Sequence, residues 1–436
     1  MAARPSSRPL ATAVTALLVL GGCATPVASG TSSGTSSTPG SASGTSSGTS
    51  TATTTAGLFD ASLVHTIDLQ VDDAAVDEAV STYLSTGEKV WVHGSVTVDG
   101  TTYPDVGLRL KGNSTLRDVD EDTAVQDLPW LVRVDKWVDG QSVDGVTRFV
   151  LRANRTASSL NELVALTLLA DAGVPASRVG VARVSADGGE ASLHAVVEGM
   201  DDAWTDATFD EDTILYKSDV DGDWSDRGSD PAAYQEAFDV EAGTEDWQPV
   251  ADLMQLLDDA SDEQLEAELP ERLDVEAFAR YLALEDLMDN DDDIDGPGSN
   301  SYLAYDESTG VFTVVAWDHN LTFGVTNRPG GQGAQGGAGD GGGQAGGRGG
   351  QGGGQGGGGG SRSSNPLADR FHAIAAFEAL YDAATDELRA QLFTSGVLAD
   401  TVDAWATTIA AGAGDLVDAA TLASEAETIT AYAGTE

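Results

Sequence analysis

Residues 290–324 of the chain, NDDDIDGPGSNSYLAYDESTGVFTVVAWDHNLTFG, join a cluster of carboxylates to a predicted β-hairpin. The turn-forming residues 306–310 separate two apolar segments, as a hairpin loop does. The second segment, residues 311–317, is rich in β-branched and aromatic side chains, which favour strands, and Asp318 follows it. Folding the hairpin about its loop predicts that Asn300 lies directly opposite Asp318, with Cβ atoms roughly 5 Å apart.

The carboxylates that precede the hairpin are Asp291, Asp292, Asp293 and Asp295. With Asn300 and Asp318 they predict an oxygen-rich corner, and oxygen ligands of this kind suit Mg²⁺, Mn²⁺ or Ca²⁺. In protein kinases a short hairpin similarly links a catalytic Asp, a metal-binding Asn and a second metal-binding Asp. The alternative is a solvated turn in a very acidic chain, which the pattern alone does not exclude.

This stretch resembles the hallmark of the spore coat protein H (CotH) kinase-like family. The hallmark is an Asp-rich segment, a PGxN turn, a strand, Trp-Asp and then Phe-Gly, and the last two stand here at residues 317–318 and 323–324. The resemblance covers most of residues 58–327. It implies an α+β, atypical protein-kinase-like bilobal fold, with a β-rich N-terminal lobe and a mainly helical C-terminal lobe.

The resemblance also implies that the γ-phosphate of ATP is transferred to protein Ser or Thr with Mg²⁺ or Mn²⁺, or with Ca²⁺, so that nucleotide and a protein substrate are the expected partners. Asp292 is the favoured catalytic base, because the key Asp of the family stands two positions after an Asn, here Asn290. Asp295 is a rival, because it lies five residues before Asn300, the Asp-to-Asn spacing of the protein-kinase catalytic loop. Asn300 and Asp318 are expected to hold the metal.

Two upstream segments are predicted to bind phosphate. Residues 106–115, VGLRLKGNST, resemble the family segment R-x-K/R-G-N-S, which implies that Lys111 holds phosphate. A strand with this ending can direct backbone N–H groups and a cation at phosphate oxygens. In the strand predicted at residues 131–136, strict alternation places Arg133 and Lys136 on opposite faces. Arg133 is therefore preferred to Lys136 as the ligand contact, and the family usually has a basic residue at the position of Arg133.

Two glutamates have open interpretations. Glu162 completes a capping box, SLNE at residues 159–162, at the start of a predicted helix. It also matches the helix glutamate that pairs with a phosphate-binding cation in kinase-like folds. Glu198 precedes residues 199–201, where the family passes from its small lobe to its larger lobe, and it either lines the nucleotide pocket or caps the next segment.

The N-terminal residues predict an extracytoplasmic protein. Residues 1–22 have the charged start and short apolar run of a secretory signal peptide, and the run is too short to cross a bilayer. The small residues before Cys23 resemble a bacterial lipobox, in which the cysteine receives lipid and becomes the mature N-terminus, so the lipid anchor is the expected membrane attachment. An ordinary signal peptide with a stray cysteine is the alternative.

The rest of the chain divides by composition into four parts. Residues 23–57 are a Ser/Thr/Gly tether that cannot bury a core. Residues 58–328 are the CotH kinase-like domain, in which Asp274 is the predicted N-cap of a helix that runs to Met288. Residues 329–364 are a disordered Gly/Gln-rich insertion. Residues 365–436 are two or three helices that pack on the larger lobe, and the first is predicted at about residues 367–389. The acidic loop at residues 219–223 resembles the start of an EF-hand, but its glycine and final acid are out of place for calcium.

Charge and composition limit the partners and the chemistry. Acidic residues number 71 and basic residues 22, a formal charge of −49, and no basic patch is visible, so nucleic acid is not an expected partner. An anionic substrate then requires metal screening or a local basic pocket. The single cysteine excludes an intramolecular disulfide, and the five histidines form no HxxxH or HxH pair. The oligomeric state is not predicted.

Two other functions are consistent with the same residues. One is a non-catalytic, metal-stabilised cell-surface adhesion or assembly protein, since some members of the family act at cell surfaces. The other is a metal-dependent hydrolase that uses the same carboxylates.

Overall fold

The computed structural model describes residues 57–113, 115–209, 212–218, 224–290, 292–296, 300–326 and 365–434. Several predicted features lie outside these residues: the signal peptide, Cys23, nearly all of the tether, the acidic loop and the Gly/Gln-rich insertion. In the part of the chain that is described, no helix combines the length and the apolar character needed to cross a membrane.

Seven strands form the first sheet: β1 (His65–Val71), β2 (Trp91–Val98), β3 (Thr101–Leu110), β4 (Trp130–Arg133), β5 (Arg148–Leu151), β6 (Val179–Ala186) and β7 (Ala191–Glu198). They close into a barrel in the order β1-β2-β3-β4-β5-β7-β6, and the parallel pairing of β1 with β6 completes it. The closure of the barrel was not predicted from the sequence, because alternation within one strand does not identify its neighbours.

Alternation along β3, β4 and β5 gives the barrel an apolar inner face and an outer face that carries charged as well as apolar side chains. The inner face includes a fully buried cross-strand row of Leu108, Val132 and Phe149. In the next row Arg133 pairs with Arg148, and both point outwards. The barrel core is therefore filled by hydrocarbon while its outer surface remains available for charged groups.

The second sheet contains β8 (Thr213–Ser218), β9 (Phe238–Ala242), β10 (Ser301–Asp306) and β11 (Val311–Ala316), in the order β11-β10-β8-β9. Strands β10 and β11 confirm the predicted hairpin. Ser301 pairs with Ala316, and this register carries Asn300 to the level of Trp317. The predicted pairing of Asn300 with Asp318 is wrong by one residue, because turn geometry sets the register of a hairpin and the sequence pattern left that geometry open.

The helices of the described residues are α1 (Asp73–Thr86), α2 (Leu160–Ala172), α3 (Asp202–Thr208), α4 (Gln248–Asp259), α5 (Asp262–Glu268), α6 (Val275–Leu287), α7 (Pro366–Ala373), α8 (Ala375–Leu388), α9 (Val397–Ala413) and α10 (Ala419–Thr430). Asp274 caps α6 as predicted and accepts a hydrogen bond from Ala277 N at 2.9 Å. The single helix predicted at residues 367–389 is two helices, because Ile374 has extended backbone angles between α7 and α8.

The C-terminal helices cover α2 as well as α6. Helix α8 packs on α6, whereas α9 and α10 pack on α2. Trp405 in α9 donates a hydrogen bond from Nε1 to Thr167 Oγ1 in α2 at 3.0 Å, and Arg183 on β6 forms an ion pair with Asp415 after α9. The C-terminal segment thus contacts both the barrel and α2, the helix that lies between β5 and β6 in the chain.

Strands and helices are both extensive, so the α+β class expected from the sequence is confirmed. The outer face of β3 to β5 and the edge strand β9 of the second sheet lie on either side of a cavity. This cavity is where the charged residues of the outer face are concentrated.

Candidate functional site

The cavity has a volume of about 460 Å³ and lies between the barrel and the four-stranded sheet. Five cations line it: Arg109, Lys111, Arg133, Lys136 and Arg148. The whole chain has only 22 lysines and arginines and a formal charge of −49, so this concentration is a local reversal of charge. It is the local basic pocket that an anionic substrate requires.

The strand register explains why these cations meet. Arg133 and Arg148 are cross-strand neighbours on the outer face. Arg109 and Lys111 stand two residues apart, so alternation directs both side chains outwards as well. The predicted phosphate contacts Lys111 and Arg133 therefore do line one cavity.

Three of the cations lie against indole rings. Arg109 Cζ and Lys136 Nζ are each 4.8 Å from the centre of the Trp91 ring, and Lys111 Nζ is 5.6 Å from that of Trp317. An indole face attracts a cation electrostatically but carries no formal charge to neutralise it. The rings hold these cations in place and leave their positive charge uncompensated.

Carboxylates pair with only two of the five cations. Arg133 Nε lies 2.8 Å from Asp135, and Arg148 Nη1 lies 2.9 Å from Glu241. Over the described ranges, no carboxylate oxygen comes within 4.0 Å of the three cations that lie on indole rings. The cavity therefore carries an excess of positive charge.

The pKa values reflect this crowding of positive charge. Burial lowers the pKa of Lys111 well below its ordinary value, and the neighbouring charge of Lys217 lowers it further. Burial also lowers the pKa of Arg109, and the charge of Arg148 acts in the same direction. A multiply charged anion bound here reverses these effects, because it stabilises the protonated side chains.

The preference for Arg133 over Lys136 rested on a face assignment that is wrong, since both side chains line the cavity. Strand β4 ends at Arg133, so strict alternation does not extend to Lys136. Gly107, which pairs with Arg133, leaves the space that Lys136 crosses, and a Cβ on Gly107 would lie only 2.7 Å from Lys136 Cγ. Both cations are available to one ligand.

Arg152, which follows β5, connects two of the predicted site residues. Its Nη2 lies 2.9 Å from Glu162 Oε1, and its Nη1 lies 3.1 Å from Asp318 Oδ1. Its guanidinium also lies 5.3 Å from the centre of the Trp317 ring. Burial raises the pKa of Glu162, and the positive charge of Arg152 opposes that shift. Glu162 thus orients a cation as one interpretation predicts, but the cation is Arg152 and not a predicted phosphate contact.

The capping-box interpretation of Glu162 is wrong. Ser159, which precedes α2, has a left-handed φ of 55° and makes no capping bond with its side chain. Its backbone N donates to Thr156 Oγ1 at 3.1 Å and not to Glu162. The Glu162 side chain is instead buried, with 1% of its surface exposed, against Arg152.

Asn300 lies against Asp292. Its Nδ2 donates to the backbone O of Asp292 at 2.9 Å and to Oδ2 at 3.0 Å, which brings the favoured base and a predicted metal ligand together. Asp295, the rival base, is buried and its backbone N donates to Asp293 Oδ1 at 3.3 Å. Burial, together with the charge of Asp295, raises the pKa of Asp293 well above its ordinary value. The structure thus groups Asp292 with Asn300, and Asp295 with Asp293.

Asp318 has a left-handed φ of 68°, and such strained non-glycine conformations concentrate at functional sites. Among the residues that the structure describes, which do not include Asp291, no three His, Cys, Asp or Glu side chains form a group able to hold a metal ion. The amide oxygen of Asn300 and the carboxylate of Asp318 nevertheless suit Mg²⁺, which proteins often hold by one or two side-chain oxygens together with substrate phosphates. The two side chains therefore supply oxygen atoms of the kind that such a site uses.

Glu198, the last residue of β7, borders a different cavity of about 210 Å³ and does not line the basic one. Its Oε2 accepts a hydrogen bond from Arg178 Nε at 2.7 Å. The next helix, α3, is capped by Asp201, so the capping interpretation of Glu198 is wrong. Residues 199–200, which follow it, do line the basic cavity.

Sequence reasoning missed Arg109, Arg148 and Arg152 as site residues. It also missed the Trp91 ring on which Arg109 and Lys136 lie, here called the Trp91 platform. The spacing of Arg109 and Lys111 was a usable signal, because residues two apart on a strand share a face. The other three depend on which strands are neighbours, and one strand's pattern does not contain that information.

Comparison with known proteins supports the resemblance noted in the sequence. A model of the family described as CotH kinase protein matches residues 108–428, which is most of the chain. The matched range includes both sides of the basic cavity and the C-terminal helices up to α10. No curated protein matches the chain.

Proposed function

The chain belongs to the CotH kinase protein family, and on that premise we propose that it transfers the γ-phosphate of ATP to a Ser or Thr hydroxyl of a protein. The basic cavity is the nucleotide site, and Mg²⁺ or Mn²⁺, with Ca²⁺ as the alternative ion, is the metal. Nucleotide and a protein substrate are the partners.

The observation that carries this proposal is the set of uncompensated cations in the cavity. Arg109, Lys111 and Lys136 lie on indole rings, and carboxylates do not neutralise them in the described structure. A triphosphate supplies several negative charges at the spacing of neighbouring side chains. Hydrogen bonds to charged groups contribute about 1.5–3 kcal/mol each, so a few such contacts account for micromolar binding.

Each site residue has a role in the proposed reaction. Lys111 and Arg133 bind phosphate oxygens. Asn300 and Asp318 would hold the metal, which would supply further neutralisation of the phosphate charge. Asp292 accepts the proton of the substrate hydroxyl, with Asp295 as the rival base. The hydroxyl oxygen bonds to the γ-phosphorus as the bond to the β–γ bridging oxygen breaks, and ADP leaves.

The remaining parts of the proposal concern architecture and location. The barrel is assigned as the N-terminal lobe of a kinase-like bilobal fold, and the four-stranded sheet with α4 to α6 belongs to the C-terminal lobe. The protein is placed outside the cytoplasmic membrane and anchored by lipid on Cys23, because residues 1–22 resemble a lipoprotein signal peptide.

The test is incubation of the protein with γ-labelled ATP and Mg²⁺ or Mn²⁺, beside Asp318→Asn. The control is Asp415→Asn, which removes an exposed carboxylate that pairs with Arg183 outside the cavity lining. We expect metal-dependent label on protein with the wild type and the control, and its loss in Asp318→Asn.

Two other results contradict the proposal. Absence of label together with absence of ATP binding in calorimetry leaves the non-catalytic surface protein as the better description. Release of labelled phosphate without transfer to protein indicates the metal-dependent hydrolase.

A further inference from the structure

Ser159, the N-cap residue of α2, makes no capping bond with its side chain, and a distant carboxylate holds the two residues that precede it. The Glu425 side chain, in α10, accepts hydrogen bonds from Ala157 N at 2.8 Å and from Ser158 N at 3.2 Å. The Ser158 hydroxyl also donates to Glu425, and its Oγ accepts from Leu160 N, the first residue of α2, at 3.2 Å. A single carboxylate therefore holds the start of α2, where negative charge also interacts favourably with the helix dipole.

The first turn of α2 carries the residues that contact the candidate metal segment. Glu162 binds Arg152, which binds Asp318. Asn161 Nδ2 donates to Asn320 O at 2.9 Å. Two separate links therefore run from this turn to the segment around Asp318.

The chain beyond α10 contacts both ends of the same segment. Tyr432 donates from its hydroxyl to Asp289 Oδ2 at 2.9 Å, just before the acidic cluster. Its ring also meets the Phe323 ring edge-on at 5.3 Å, after the predicted metal ligand. Asp289 and Phe323 both have left-handed φ values, 51° and 57°, so Tyr432 touches two points where the backbone is strained.

From these contacts we propose that Glu425 is a positioning residue for phosphoryl transfer, which rests on the proposed function. It fixes the first turn of α2, and through Glu162 and Arg152 it fixes Asp318. The C-terminal helix α10 is then part of the machinery of the site and not only a cover for α2.

The position of these residues determines which kinetic constant responds. Arg152 and Glu162 do not line the basic cavity, so the loss of Glu425 leaves the phosphate-binding cations in place. It displaces Asp318, which in the proposed function would hold the metal beside the transferred phosphate. A misplaced catalytic group lowers kcat, whereas loss of uniform binding raises KM.

The experiment compares Glu425→Ala and Glu425→Gln with Glu427→Ala, which alters an exposed carboxylate on the same helix. Phosphoryl transfer and amide hydrogen exchange at residues 157–164 are measured on the full chain. For Glu425→Ala we expect kcat to fall at least tenfold, KM for ATP to stay within threefold, and exchange at the first turn of α2 to accelerate at least tenfold. For Glu425→Gln, which keeps one acceptor oxygen, we expect a kcat and an exchange rate between those of Glu425→Ala and the wild type. Glu427→Ala should match the wild type in both.

The readouts separate failure of this inference from failure of the proposed function. A wild type that transfers no phosphate refutes the proposed function, and hydrogen exchange alone then decides whether Glu425 holds α2. Unchanged exchange in both Glu425 variants overturns the inference. A folded Glu425→Gln that exchanges faster but keeps the wild-type kcat also overturns the inference. In either Glu425 variant, a rise in KM that accounts for the whole loss of kcat/KM overturns it as well. If Glu425→Ala does not fold, the Glu425→Gln results decide by the same criteria.

Discussion

The inner and outer faces of β3, β4 and β5 come from alternate residues of the same short strands, yet they obey different physical rules. Inside, Leu108, Val132 and Phe149 are fully buried and packed against other apolar side chains. Outside, Arg109 and Lys111 are partly buried beside indole rings without a carboxylate partner in the described residues. The inner face is optimised for stability, whereas the outer face retains charge that a folded chain alone does not need.

The cations elsewhere in the described chain show that this is a local feature. Arg178 pairs with Glu198, Arg280 with Glu387 and Arg370 with Asp262. In a chain with 71 acidic residues, a partner for a cation is easily supplied. Arg109, Lys111 and Lys136, three cations without such a partner in the described residues, meet in one cavity, and this indicates a ligand that supplies the negative charge.

The largest effect is expected on the inner face. Phe149→Ala leaves a cavity in the barrel core and should lower the free energy of unfolding by about 3–5 kcal/mol. Arg109→Met, one row away on the outer face, should not lower it. Urea denaturation of both variants measures the difference, and a loss of stability in Arg109→Met as large as that in Phe149→Ala contradicts the distinction between the faces.

A second test concerns the buried ion pair beside the cavity. Glu162→Gln leaves Arg152 with one charged partner, Asp318, and removal of one member of a buried pair costs about 3 kcal/mol. The same measurement on Glu190→Gln, an exposed carboxylate, should show no change. Equal stability of the two variants would show that Arg152 does not depend on Glu162.

A smaller effect of opposite sign is expected for Lys111→Met. Because the ammonium group is desolvated and unpaired, its replacement by an apolar side chain of similar length should raise the free energy of unfolding by about 1 kcal/mol. The same substitution should weaken ATP binding. A variant that loses stability and keeps its ATP affinity would mean that Lys111 is a structural residue.

The lowered pKa of Lys111 gives a prediction for pH. Its pKa in the folded protein lies below the ordinary 10.5. At pH values between the folded pKa and 10.5, the unfolded chain therefore binds more protons than the folded chain. The free energy of unfolding of the wild type, relative to that of Lys111→Met, should rise with pH over this window. ATP affinity should fall over the same window, because the neutral amine no longer attracts phosphate. Lys111→Arg should bind ATP with little dependence on pH there, since a guanidinium stays charged. Parallel pH profiles for Lys111→Arg and the wild type would contradict this assignment.

Local patterns predicted much of this molecule. The hairpin of β10 and β11 and the cap of α6 by Asp274 follow from alternation, turn residues and capping rules. These features depend on residues that are close together in the sequence, where steric and hydrogen-bonding rules act directly.

Features that depend on neighbours distant in the sequence were predicted poorly. The barrel closure, the Trp91 platform and the link from Glu425 to α2 join residues far apart in the chain. Lys136 was assigned to the wrong face because its strand ended earlier than its alternation suggested. The partner of Glu162 was missed because only the folded chain brings Arg152 beside it.

The most direct test of the account is calorimetric titration of ATP with Mg²⁺ into the wild type, Arg109→Met/Lys111→Met and the control Arg280→Met, whose arginine pairs with Glu387 outside the cavity lining. We expect ATP to bind the wild type and the control alike, and at least 100-fold more weakly to the double variant, because two charge-assisted contacts of about 1.5–3 kcal/mol each are lost. Equal ATP affinity in all three proteins, or no binding to the wild type, would contradict the claim that the uncompensated cations of the outer face form a nucleotide site.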